Sequence, residues 1–305
     1  MNKLKGVIAV VPTPLTKTQD IDVNGIKNLL DFLSKYKISL FALGSAGEAM
    51  NLTFEDRVIV AKSMAKFNNK RLPLLIGAGG FGIKEILNFI DKISGNDIDG
   101  IHAIPYDIKI SPNNIKNFYK TLADKSEFPI WIYQNTTRGN GIPLDIIAEL
   151  STHNNIHGIK IAGFDLRTNQ SIMNLNSDNF QVFGSADSQF FSFITHGLNA
   201  SSSSSAACFP ELFEILYKAI QSKNLEYAQK VNNKISNFLK TIPRGAYFDN
   251  GESSSEVKFM LNLRGVCSEY VAQPYRDQNK IEKKIAIKAF DKFSVFLKSG
   301  NLDDL

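Results

Sequence analysis

The sequence predicts an α/β protein, a closed (β/α)8 TIM barrel with a C-terminal helical extension, and three observations carry that prediction. Short apolar, β-branched runs alternate with longer segments of helical period along most of the chain. The runs are continuously apolar, the pattern of parallel strands covered on both faces. After about Glu211 the helical period continues but no further strand-like run follows.

The strand-like runs are, in order, GVIAVVPT, LFALGS, PLLIGAG, GIHAIP, PIWIYQ, IHGIKIA, FQVFGSA and the less clear ASSSSSAA. Between them, Ile26, Leu29, Leu30 and Leu33 repeat at helical spacing, as do Ile83, Ile86, Leu87 and Ile90, and Ile115, Phe118, Tyr119 and Leu122. Start signals agree. Thr53 precedes Asp56 by the three residues of a capping box, with Leu52 as a staple. Ser111 is a cap with Pro112 in the first helical turn. Eight strand–helix units suit a closed barrel better than an open doubly wound sheet. The expected domains are a barrel over 1–222 and a helical domain over 223–305, the latter built from NLEYAQKVNNKISNFLKTI, SSSEVKFMLNLRGV and KIEKKIAIKAFDKFSVFLKSG.

Composition narrows the class. The chain has 305 residues, 43% hydrophobic and 21% charged, which is ordinary for a globular protein. Its net charge of +5 comes from lysines spread along the chain. They fit solvated helix faces, so no nucleic-acid partner is expected. Cys208 and Cys267 stand far apart without metal-ligand spacing, which argues against a disulfide framework or a metal site. The start MNKLKGVIAVVPTPL has two lysines before a short apolar run that Pro12 and Pro14 interrupt, and no small-residue cleavage site follows. It is not expected to be a signal peptide, no apolar segment approaches a membrane span, and a cytoplasmic protein is expected.

In such barrels the active site lies at the carboxyl ends of the strands. The second strand ends in GSAGE, Gly44 to Glu48, whose backbone N–H groups suit an oxyanion; by itself the stretch reads more readily as a tight turn and nothing more. Tyr133 ends the fifth strand and Arg138 follows five residues later. A phenol beside a lysine can move protons and an arginine can grip a carboxylate. The plain alternatives are a packed aromatic and a surface ion pair. Lys160 lies inside IHGIKIAGFDL, a run that otherwise reads as a buried strand. If Ile159 and Ile161 face the helices, alternation turns Lys160 into the barrel. There a lysine has few structural uses and is an imine former or a phosphate ligand far more often than a packing element.

Taken together, GSAGE, Tyr133 with Arg138 five residues on, and the GIK around Lys160 resemble the dihydrodipicolinate synthase and N-acetylneuraminate lyase superfamily of class I pyruvate aldolases. The resemblance extends from PTPL near the start to SSSEVKFMLNLRGV. It implies that Lys160 condenses with the ketone of pyruvate or another 2-keto acid, and that Tyr133 transfers protons during imine formation and carbon–carbon cleavage. It further implies that Ser45 stands in for a catalytic threonine, and that the turn formed by Ser45, Ala46 and Gly47 holds the keto-acid carboxylate. No metal or organic cofactor is implied, because the protonated imine is itself the electron sink. Members are commonly tetramers built from dimers, so a homo-oligomer, tetramer or dimer, is expected.

Departures from the family pattern sharpen the expected activity. The synthase pattern has two threonines where Ser45 and Ala46 stand, and a relay tyrosine where Asp107 stands. QNT replaces its Asn-x-Pro after the strand-five tyrosine. Ala162 lacks a hydroxyl several members carry two residues past the lysine. Arg138 matches the synthase arginine for a distal carboxylate. Asp187 and Ser188 fall where lyase members hold substrate hydroxyls, though a serine stands where the lyase has glutamate, and Ser203 or a neighbour in the SSSSS run either offers hydroxyls to a polyol or simply relieves crowding against Lys160. The favoured expectation is an aldolase or lyase of a 2-keto-3-deoxy sugar acid, with pyruvate and an aldehyde as small-molecule partners. The alternatives are dihydrodipicolinate synthase condensing pyruvate with aspartate semialdehyde, a sugar-acid dehydratase, and a catalytically silent keto-acid binder.

Overall fold

The computed structural model describes residues 4–80, 82–105, 110–135, 141–163, 166–245, 250 and 253–305. Strands β1 (Gly6–Val10), β2 (Ile38–Ala42), β3 (Leu74–Gly77), β4 (Gly100–Ala103), β5 (Ile130–Asn135), β6 (Ile156–Ala162), β7 (Gln181–Ser185) and β8 (Ala200–Ser203) pair in parallel and in sequence order, β8 closing on β1. The helices between them are α1 (Val23–Leu33), α2 (Phe54–Asn68), α3 (Ile83–Lys92), α4 (Pro112–Lys125), α5 (Leu144–Leu150), α6 (Leu166–Met173) and α7 (Phe190–Thr195). They are followed by α8 (Pro210–Gln221), α9 (Leu225–Lys240), α10 (Ser255–Leu263) and α11 (Lys280–Ser299). The (β/α)8 barrel with helices beyond it is therefore the observed fold.

Local chemistry sets these boundaries. The Thr53 side chain accepts from the Asp56 N–H while the Asp56 carboxylate accepts from the Thr53 N–H, closing the capping box that starts α2. Ser111 caps α4, with Pro112 in its first turn where the missing N–H costs nothing. Along each strand, alternate residues enter different cores. Ile8, Val10, Phe41, Leu75, Trp131 and Phe183 fill the barrel, while their neighbours Ala9, Leu40, Ile76, Ile132 and Val182 pack under the helices. The single tryptophan needs space on both flanking strands. A Cβ at Gly158 would stand 2.3 Å from its ring and one at Gly100 2.7 Å, so only glycine lets β4 and β6 lie beside it.

The C-terminal helices share the outer core rather than building their own. Phe209, between β8 and α8, meets Phe238 of α9 at 5.3 Å and Phe293 of α11 at 4.7 Å between ring centroids. Arg264, after α10, pairs with Glu211 of α8 at 2.6 Å and lies over the Phe293 ring at 5.2 Å. Cys208 and Cys267 are both buried free thiols. Among the described residues, no helix is long and apolar enough to cross a membrane, and no group of three or more His, Cys, Asp or Glu is placed to hold a metal ion.

Candidate active site

Lys160 lies on the inner face of β6, in register with Tyr133 on β5 and Phe183 on β7, and only 7% of its surface is exposed. Its Nζ stands 4.8 Å from the Tyr133 ring centroid and 4.9 Å from that of Phe41, which reaches across from β2. His102 of β4 completes the cage, its ring 4.7 Å from Phe41 and 5.0 Å from Tyr133. Burial first, and the Lys160 charge second, hold His102 well below the usual histidine range, so its imidazole is neutral. Tyr119 of α4 buttresses this side of the barrel. Its hydroxyl donates to the Ala103 carbonyl at 3.0 Å and accepts from the Tyr133 N–H at 3.3 Å.

Two residues past Phe41 the chain turns sharply. Leu43 and Glu48 both take left-handed backbone angles, with φ of 55° and 56°. A Cβ on Gly47 would lie 2.9 Å from the Leu43 nitrogen, and one on Gly77 of β3 2.1 Å from the Leu43 carbonyl oxygen, so both glycines make room for the turn. Within it, the Gly47 N–H donates to Gly44 at 3.0 Å and the Glu48 N–H to Ser45 at 2.9 Å. The Ala46 N–H has no hydrogen-bond acceptor among the described residues, which suits it to an incoming carboxylate.

The turn is anchored from three sides. Thr13, in the PTPL stretch, donates to the Gly47 carbonyl at 2.7 Å, and Ser254 donates to the Ala46 carbonyl at 2.6 Å. The Glu48 carboxylate accepts from Lys258 of α10 at 2.8 Å in an ion pair with no exposed side-chain surface, and from the Ala272 N–H at 2.8 Å. Burial holds Lys258 below the usual lysine range despite the opposing pull of Glu48. PTPL, GSAGE and SSSEVK are thus parts of one device. Each stretch stood out in the sequence, but nothing there pairs Glu48 with a lysine 210 residues away.

At the ends of β7 and β8 the polar residues engage one another. Asp187 accepts from the Ser203 hydroxyl at 2.6 Å, the Ser205 hydroxyl at 2.5 Å and Arg244 Nη2 at 2.5 Å. Burial raises the Asp187 pKa, but Arg244 and the serines outweigh it and leave the carboxyl below its ordinary value. Ser203 pairs with Ala9, on the helix-facing side of the pleat, which sends its hydroxyl to Asp187. The hydroxyl on the inner face of β8 is that of Ser202, in register with Ile8 and Ser185 and donating to the Gly184 carbonyl at 3.2 Å. Ser188 lies in a 3₁₀ turn over Asp187–Gln189. Arg138 and Asp107 lie outside the described residues. Gln134, the residue after Tyr133, exchanges two hydrogen bonds with Ile142, at 2.8 and 3.2 Å. Phe41, His102 and Arg244 carried no sequence signal that set them apart from core or surface positions.

A lysine caged by aromatic rings at the carboxyl end of a barrel, with a tyrosine on the adjoining strand and an amide turn past the next ring, defines a class of enzyme that can hold a keto acid as an imine. The dihydrodipicolinate synthetase family model matches residues 3–290, and the chain belongs to that family. It is accordingly a carbon–carbon lyase of the class I aldolase type, the class that works through a lysine imine. The 4-hydroxy-tetrahydrodipicolinate synthase of Karelsulcia muelleri is 26% identical over 293 residues, spanning 94% of this chain and 97% of that protein. Among solved structures, dihydrodipicolinate synthase from Bacteroides thetaiotaomicron shares the fold with a TM-score of 0.87 at 24% identity, covering 95% of this chain and 99% of that one. N-acetylneuraminate lyase from Mycoplasma synoviae does so at 0.84 and 24%, covering 95% and 98%.

Proposed function

We propose that Lys160 is the imine-forming residue and that the protein cleaves or forms a 2-keto-3-deoxy sugar acid, or a related hydroxylated 2-keto acid, with pyruvate as one partner and an aldehyde as the other. The observation that carries this is the placement of Nζ, on the inner face of β6 between the Tyr133 and Phe41 rings. The uncharged amine attacks C2 of the keto acid and forms a carbinolamine. Loss of water leaves an iminium. Tyr133 removes the proton from the C4 hydroxyl as the C3–C4 bond breaks, the electron pair passes to the iminium nitrogen, and the aldehyde departs. The enamine then takes a proton at C3 and water releases pyruvate from Lys160. Ser45 supports the proton transfers, and the Ser45–Ala46–Gly47 turn holds the carboxylate, chiefly through the uncommitted Ala46 amide. The iminium is the electron sink, so the reaction needs no metal or organic cofactor. The same picture includes a cytoplasmic homo-oligomer, dimer or tetramer, which light scattering would test.

A second assignment, condensation of pyruvate with aspartate semialdehyde, is favoured by the named activity of the relatives at about a quarter identity and by Arg138. Asp107 opposes it, because a carboxylate cannot replace a neutral relay phenol. Trapping with pyruvate and borohydride, followed by mass mapping, tests the common chemistry. An adduct on Lys160 is expected; unmodified protein under conditions that label a control aldolase would remove it. Cleavage of a panel of 2-keto-3-deoxy acids against condensation with aspartate semialdehyde then separates the two assignments.

A further inference from the structure

Beyond the lysine cage, the carboxyl ends of β7 and β8 carry a second polar centre. Arg244 is anchored along one edge only. Its Nη2 donates to the Asp187 carboxylate at 2.5 Å and to the Ser205 hydroxyl at 3.0 Å. Among the described residues, its Nε and Nη1 make no hydrogen bond, and 32% of the side chain remains exposed. Arg244 lines a cavity of about 440 Å³ together with Asp187, Ser188, Ser236 and Lys240, on walls otherwise formed by Leu239 and Ile242. The cavity thus offers a guanidinium edge, an ammonium and two hydroxyls. Its one carboxylate, Asp187, is already spent on Ser203, Ser205 and Arg244. Such a set matches an anion, since a guanidinium fixed on one side presents its remaining donors in a rigid geometry.

The cavity also lies on the right side of the barrel. Lys160 is in register with Phe183, and Asp187 follows four residues later in the direction of the carboxyl ends. Phe183 and Asp187 are then at most roughly 13 Å apart along the chain, and Lys160 lies one inter-strand step of about 4.8 Å to the side. We propose that Arg244, positioned by Asp187 and Ser205 and assisted by Lys240, Ser188 and Ser236, forms a subsite for an anionic group at the end of the substrate remote from the imine. The substrate is then a 2-keto acid with a second negative charge, a terminal carboxylate or phosphate. This rests on the function proposed above. It also recasts Asp187 as a positioning residue, because its acceptor capacity is used in holding the arginine.

The test begins with direct binding, which does not depend on turnover. Inorganic phosphate and glutarate are titrated calorimetrically into the wild-type protein, R244K and K240Q. R244K keeps a cation beside buried Asp187, and K240Q changes an exposed side chain, so both are expected to fold. The wild type should bind at least one anion, with R244K weakening it about tenfold or more and K240Q several-fold. Absence of binding, or equal affinity in all three proteins, would overturn the subsite. The second arm compares kcat/KM for phosphate-ended, carboxylate-ended and uncharged aldehyde partners. The charged partner whose advantage over the uncharged one falls in both variants identifies the anion; identical ratios in all three proteins would refute a role in substrate recognition. Borohydride trapping of pyruvate on the wild type reports separately on the proposed function. Anion binding without trapping would sink that function and leave only an anion site.

Discussion

Lys160 and Tyr133 sit opposite each other because β5 and β6 pair in register at those two positions. That register permits two predictions about single side chains. Lys160→Met should abolish borohydride trapping while retaining the far-ultraviolet circular dichroism of the wild type; residual labelling elsewhere would mean that the imine forms on another amine. Tyr133→Phe should lower kcat by about 10²–10⁴-fold, the usual contribution of a positioned acid–base group, and near-normal turnover would take the phenol out of the mechanism. A third concerns Glu256, whose pKa burial raises from 4.5 to about 7, against the favourable pull of backbone N–H groups and Arg244. The folded state holds this proton more tightly than the unfolded chain, so stability falls as pH rises through that window. The penalty is fully developed above about pH 7 and amounts to about 3 kcal/mol. Glu256→Gln should therefore stabilise the protein at about pH 8 and have little effect near pH 4. Denaturant titrations at the two values measure this, and an equal effect at both would be the contrary result. Lys160 and Tyr133 were legible in the sequence because a polar group inside an apolar strand is costly and stands out. Arg244 and His102 were not, since an arginine after a helix and a histidine in a strand have many ordinary uses.

Among the elements, α10 matters most to the site because it carries Lys258 and is preceded by Ser254, the two contacts that hold the GSAGE turn from the C-terminal side. Glu48→Gln would leave the Lys258 ammonium buried without its counter-ion, a change that costs about 3–5 kcal/mol. Adding Lys258→Met to that variant should recover much of the loss. Chemical denaturation of the wild type, the two single variants and the double variant tests the coupling; additive single effects would show that the pair does not act as a unit. The Thr53 capping box, the Ser111 cap and the strand runs were legible because their signals are local, a few residues long. The face of β8 was not. Five serines in succession carry no hydrophobic alternation, so only pairing with β1 and β7 decides that Ser202 points inward and Ser203 toward Asp187.

The terminal helices unfold together with the barrel if the outer core is continuous across them, and the contacts of Phe209 with Phe238 and Phe293, inside the cluster that also holds Phe190 and Phe213, say that it is. Calorimetric unfolding should show a single transition. Phe293→Ala, which empties a fully buried site on α11, should lower stability by about 3–5 kcal/mol and move that transition as a whole. Two separate transitions, only one of them shifted, would mean that the terminal helices fold apart from the barrel. The sequence by itself determined the barrel, the order of its strands and the lysine–tyrosine pair, because each follows from a short-range pattern: hydrophobic period, caps, or a charge misplaced in an apolar run. The tertiary structure alone decided which distant groups meet, joining Glu48 to Lys258, Phe41 and His102 to Lys160, and Asp187 to Arg244. Those contacts are made by closing the barrel and laying the last helices across it, and no local free energy along the chain encodes which partner will arrive.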